Sequence, residues 1–348
     1  MKRILVLLCL ALTLCLSSVV CATPLGGLAV AVSPNGNVIA SAGDNRVLYV
    51  LDVAKMEVTN RVWLGSCIVD LQFNKDGSTV VAEDTDGTLH LIDAKTWKPV
   101  KQEPKAGQIS PARNVDLVAG LNPDYNGHTI RFLSMTDLAT KGKVSFAKGE
   151  KVLALGLDPE GARLAVLMEA VSDDAEPKGG NPPKDLKGLA VEEFRLKNDG
   201  KTSRLLVFKV ADGSKISEQK IFYSPSTSAW KVLFQGDNIL LVNYSNLNAQ
   251  VNPKGEVTLF QLENSYNYGM GSSVDQKILM TGGLADGTYT KVADLNKVRF
   301  QPDRLPGWPE YFRGFAVTAD GTAYGSTSGY RIIKIKPGGS FEKSVPVF

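Results

Sequence analysis

Along most of the chain, apolar and polar residues alternate in short runs that stop at clusters of Gly, Asp, Asn or Pro. Residues 47–51, 89–92, 163–167, 205–210, 239–242, 257–262 and 332–335 are such runs, rich in β-branched and aliphatic side chains. A period of two with this composition predicts strands. No long window carries a helical stripe, so the chain reads as all-β.

The strands come with a repeat. Ser33-Pro34-Asn35-Gly36 is echoed by Asn74-Lys75-Asp76-Gly77, Asp158-Pro159-Glu160-Gly161 and Thr318-Ala319-Asp320-Gly321. The turn glycines lie 41, 84 and 160 residues apart in succession. A period near 42 accounts for all three if one member falls near Arg113 to Val118 and an insertion occupies residues 172–203. Two further units carry degenerate turns at Gln235-Gly236-Asp237 and Asp275-Gln276. Each unit has room for four short antiparallel strands, which is the content of a β-propeller blade. The expectation is a seven-bladed β-propeller of four-stranded antiparallel blades; six or eight blades are compatible with the two degenerate units. Residues near Leu25 to Leu28 are expected to complete the last blade.

The S-P-N-G and T-A-D-G turns, and the segment Leu91-Ile92-Asp93-Ala94-Lys95-Thr96, carry a resemblance. The chain resembles the WD-repeat-like and YVTN-type propellers of exported bacterial proteins over nearly all of its length after the leader. The Trp-Asp signature of eukaryotic WD repeats is missing from every unit. The resemblance is architectural, and it implies a propeller without assigning an activity.

Residues 1–22 read as a secretory signal peptide. Lys2 and Arg3 precede the apolar residues 4–16, and Val20-Cys21-Ala22 offers a cleavage site after Ala22. The apolar run is too short for a membrane anchor; lipidation at Cys21 stays open. Residues 23–348 are then one propeller domain, expected in the periplasm or secreted. Without the leader the chain keeps one cysteine, Cys67, so no internal disulfide can form. Basic and acidic residues nearly balance, which argues against nucleic acid as a partner. A monomeric propeller is expected.

Candidate binding residues lie where the second and third strands of each blade join, because these loops share one face beside the channel. Blade three offers Tyr125 and Asn126, and the blade-four insertion offers Asp173 and Asp174. Blade five offers Tyr244, Asn246 and Asn248, and blade six Tyr289. Tyr266, Tyr268, Trp308 and Tyr311 precede the inner strands of blades six and seven and join the set. Asn and Tyr suit a protein loop or a glycan, and loops on a rigid scaffold are where recognition resides. The expected partner is an envelope or exported protein, or a glycan. Residues 186–196 of the insertion are expected to form an amphipathic element or an extra hairpin capping the channel. Trp63, Trp97 and Trp230 are assigned to blade packing, Cys67 to the core, and His90 to an ordinary strand position.

Two histidines, His90 and His128, do not make a zinc site, and no G-x-S-x-G or H-E-x-x-H motif is present. The reading is therefore recognition, with no catalytic residue, metal or cofactor expected. The alternative is a small-molecule hydrolase or lactonase-like enzyme in the channel. It would use Asp44, Asp70, Asp116 or Glu169, supported by Asn243, around a calcium or other divalent ion. Asp84-Thr85-Asp86-Gly87 is read as a hairpin turn.

Overall fold

In a computed structural model, the structure describes residues 27–121, 129–169, 179–198, 202–223, 230–264, 266–284, 286–303 and 310–347. They form seven four-stranded antiparallel sheets, each running from an inner to an outer strand in chain order. The inner strands are Leu28–Val32, Ile68–Phe73, Ser110–Ala112, Val152–Leu157, Trp230–Gln235, Gly269–Ser272 and Phe312–Val317. The chain is a seven-bladed β-propeller.

The repeated turn works through its side chains. Ser33 Oγ accepts the Val38 N–H (2.9 Å), Asn74 Oδ1 that of Thr79 (3.0 Å), and Asp158 Oδ1 that of Arg163 (3.0 Å). In the degenerate blade-six turn Ser273 Oγ accepts the Ile278 N–H at 3.0 Å, so the capping chemistry survives where the sequence motif fades. A later turn residue takes a positive φ, either Gly (Gly36 at 71°, Gly77 at 77°) or Gln276 at 54°. The Asp84–Gly87 segment is the hairpin turn expected, with Asp84 Oδ1 accepting the N–H groups of Asp86 and Thr88.

The core is divided among the blade junctions. Seven clusters of buried apolar residues are found among the described residues, and each joins two adjacent blades. Ring closure is one of these junctions: Leu28, Val30, Ile39 and Tyr49 of blade one pack on Ala316, Tyr324, Ile332 and Val347 of blade seven. This corrects one expectation. Leu28 opens the inner strand of blade one, and blade seven takes all four strands from the C-terminal end of the chain. Burial of apolar surface across the junction closes the ring in place of strand exchange.

The blade-four insertion contains the α-helix Leu189–Asn198. Its Leu189 and Leu196 pack on the blade four–five cluster, and it lies against the outer strand of blade five, Val257–Phe260. The expected amphipathic element is thus a helix docked at the rim and not a cap on the channel. Trp97 packs edge-on to Phe73 at 6.3 Å, as expected of a packing residue. Trp63 does not: it is 66% exposed at the end of its outer strand. Cys67 is half-buried beside the Asp44 carbonyl, and the Trp230 side chain and His128 lie outside the described residues. No helix among the described residues is long and apolar enough to cross a membrane. Residues 1–26, including the expected leader, lie outside the described residues.

Candidate functional site at the channel mouth

The turns joining first and second strands share one face, and those joining second and third strands share the other. Tyr244 follows the second strand of blade five, and Tyr268 and Tyr311 immediately precede the inner strands of blades six and seven. These positions converge. Tyr244 lies 4.8 Å from Tyr268 in an edge-on pair and 5.7 Å from Tyr266, and Tyr268 lies 4.9 Å from Tyr311. Four rings from three blades form a continuous platform at edge-to-face and tilted spacings favourable for aromatic pairs. Tyr266 is 49% exposed, while the other three are half-buried. Desolvation, with Tyr268 alongside, pushes the Tyr244 hydroxyl well above its ordinary range. The Arg313 guanidinium, one residue into the inner strand of blade seven, lies 5.9 Å from the Tyr311 ring.

The asparagines expected beside these tyrosines take a different part. Asn246 and Asn248 are buried, and their amides are spent internally. Asn246 accepts the Leu262 N–H at 2.8 Å and donates to the Leu262 carbonyl at 3.0 Å, while Asn248 donates to Asn246 Oδ1 at 2.9 Å. Asn264 donates to the Tyr266 carbonyl at 2.7 Å and accepts from Thr281 and Thr288, and Asn267 donates to the Asn243 carbonyl at 2.7 Å. The asparagines are struts that hold the tyrosine-bearing loops. Tyr289 is also interior, in the blade six–seven core. Of the remaining candidates, Tyr125, Asn126, Asp173, Asp174 and Trp308 lie outside the described residues.

The carboxylates named for a channel metal do not converge. Asp44 accepts the Tyr330 hydroxyl on the tyrosine face, and Asp116 Oδ1 accepts the Lys75 N–H (2.6 Å) at a turn of the opposite face. Glu169 is an exposed partner of Lys151 at 3.8 Å, and Asn243 is a buried strut donating to the Tyr223 hydroxyl. No group of three or more His, Cys, Asp or Glu suited to a metal ion occurs among the described residues. His90 is buried with Nε2 at 2.7 Å from Asp84 Oδ2, which fixes the blade-two turn.

Asp70 alone of that set lines the channel. The inner strands enclose a cavity of about 110 Å³ whose wall includes Asp70, Arg113, Lys231 and Arg313. Burial pushes Asp70 up, with Lys231 as the largest opposing influence, and pushes Lys231 down, with Asp70 opposing. Burial also takes Arg113 down to about 10. At the lower end Gln276 crosses from blade six, accepting the Phe234 N–H (2.7 Å) and donating to the Leu157 carbonyl (2.6 Å). Sequence reasoning missed Arg113, Lys231 and Arg313. The signal available was a charge inside an apolar inner strand, as in Trp230-Lys231-Val232-Leu233 and Phe312-Arg313-Gly314-Phe315.

Behind Asp70, Glu83 is buried and accepts the N–H groups of Gln108 (2.6 Å) and Ile109 (3.1 Å). Desolvation, reinforced by Asp70 and Asp84 and opposed by those N–H groups, pushes it up to about 7. A carboxyl that titrates higher folded than unfolded adds stability that is full below its unfolded value and lost as pH rises through its folded value. Stability is therefore expected to fall between about pH 4.5 and 7 by up to roughly 3 kcal/mol. Urea midpoints across that window check this, and Glu83→Gln is expected to flatten the slope.

No family model matches the chain. It is 28% identical over 136 residues to the WD repeat-containing protein AAC3 of Dictyostelium discoideum, a match covering 38% of this chain and 28% of that protein. The likeness is weak and partial, and the chain spans well under half the length of that relative. Its fold is also similar to a chain of Kuenenia stuttgartiensis hydrazine synthase, with a TM-score of 0.60 and 15% identity over 86% of this chain and 92% of that one. That likeness is one of architecture.

Proposed function

We propose that this protein is an exported recognition propeller that takes a glycan on the tyrosine platform at the channel mouth. The observation that carries this reading is the four-ring cluster Tyr244–Tyr266–Tyr268–Tyr311, mounted on buried asparagine struts. Tyrosine presents an apolar ring face to the C–H surface of a sugar and a hydroxyl to its polar edge. The struts fix the rings before the ligand arrives, which lowers the entropy cost of binding. Four clustered tyrosine rings suit one or two sugar rings. On a glycan array, Tyr266→Ala/Tyr268→Ala is expected to weaken binding at least tenfold while leaving the fold intact by circular dichroism. A protein caught from envelope extract with no glycan bound would replace this reading with a protein-docking one.

A second reading, a small-molecule enzyme acting in the channel, has its own observation. Asp70 pushed up and Lys231 pushed down share one cavity, a pattern found at acid–base sites. It requires turnover of a lactone or ester that is lost in Asp70→Asn. Ligand binding without turnover would leave recognition alone.

A further inference from the structure

The channel wall carries an imbalance of charge. Arg113, Lys231 and Arg313 line one cavity, with Asp70 the sole carboxylate in its lining among the described residues. Asp70 Oδ1 is already engaged, accepting the Leu71 N–H at 2.6 Å and the Gln72 side-chain amide at 2.9 Å. Among the described residues none of the three cations stands at ion-pair distance from a carboxylate, and Arg313 Nε is a buried donor with no hydrogen-bond partner. The three cations come from three different blades and line one cavity, and Arg113 is only 9% exposed. Burying charge without a counter-charge is costly, and such groups are kept where something else supplies the opposite sign.

We infer that the central channel holds a small oxyanion, a phosphate, sulfate or carboxylate group, between Lys231 and Arg113. Guanidinium forks suit the paired oxygens of such a group, and Lys231 adds a point charge. The free space of about 110 Å³ accommodates a group of this size with a few waters. Burial lowers Lys231 and Arg113, and for both Asp70 is the charge that opposes it. The inference does not depend on what the tyrosine platform takes, and it stands whether the channel turns its occupant over or only holds it.

The test is a melting-temperature titration of the mature protein with inorganic phosphate, sulfate and acetate, at ionic strength held constant with sodium chloride. A saturable rise with at least one anion is expected. Lys231→Met removes a desolvated charge, so it is expected to fold, and to weaken the anion at least tenfold. Asp70→Asn removes the competing carboxylate and is expected to tighten it several-fold. Tyr266→Ala/Tyr268→Ala should leave the anion effect unchanged, which separates failure here from failure of the platform. No rise in the wild type with any of the three anions would overturn the inference. So would an equal rise in Lys231→Met, which would show ions acting at the surface.

Discussion

Alanine in place of Arg331 is expected to remove about 3 kcal/mol of stability, the cost of leaving the largely buried Glu310 carboxylate uncompensated. Arg331 is only 3% exposed, on the third strand of blade seven. Its Nε lies 2.9 Å from both Glu310 oxygens, its Nη2 2.6 Å from Glu310 Oε2, and its Nη1 2.9 Å from Asp303 and 3.1 Å from Ser344 Oγ. One guanidinium therefore ties the approach to blade seven to that blade's third and outer strands. Glu310 directly precedes Tyr311, so the same change is expected to loosen the tyrosine platform. Urea unfolding measures the first effect. Replacing both partners, as Arg331→Met/Glu310→Gln, is expected to recover part of the loss because no unpaired carboxylate remains at position 310. A loss under 1 kcal/mol for Arg331→Ala would contradict this account of blade seven.

Gly271→Ala is the second large effect. A Cβ at this position would lie 2.0 Å from the Phe315 carbonyl oxygen and 2.7 Å from its carbon, because the inner strands of blades six and seven approach backbone to backbone there. Neither backbone can yield without breaking its own ladder, so a loss of about 3 kcal/mol is expected. Gly314→Ala is the matched control on the neighbouring inner strand. Its Cβ would meet nothing closer than Ser326 Oγ at 3.5 Å, and a change within about 0.5 kcal/mol is expected. Thermal or urea midpoints of the pair test whether inner-strand crowding, and not glycine content, sets the effect.

What could be read from the sequence followed the range of the interactions involved. The blade count was legible because each turn is closed by its own residues: Ser33, Asn74, Asp158 and Ser273 all cap N–H groups four or five positions on. Ring closure was misread because Leu28 pairs with Gly43 just as a terminal strand would pair with a distant blade, and alternation alone does not name the partner. Tyr266, Tyr268 and Tyr311 were legible as residues that precede inner strands, and Tyr244 as a loop residue after a second strand. Asn246, Asn248 and Tyr289 were not separable from them, since an amide or a phenol serves equally on a rim or inside a junction. The channel cations were hidden for a different reason. Arg113, Lys231 and Arg313 are each one charge per inner strand or its turn, from three distant blades, and only the closed ring brings them to one cavity.

The central claim is that the tyrosine platform receives the ligand, and ten tyrosines make it directly observable. The measurement is a proton–carbon spectrum of protein labelled at the tyrosine rings, titrated with the oligosaccharide that binds most strongly on the array. The account predicts that Tyr244, Tyr266, Tyr268 and Tyr311 shift together and saturably, while the buried Tyr223, Tyr289 and Tyr324 stay still. Shifts confined to other tyrosines, or a bound sugar that moves none of the four, would contradict it.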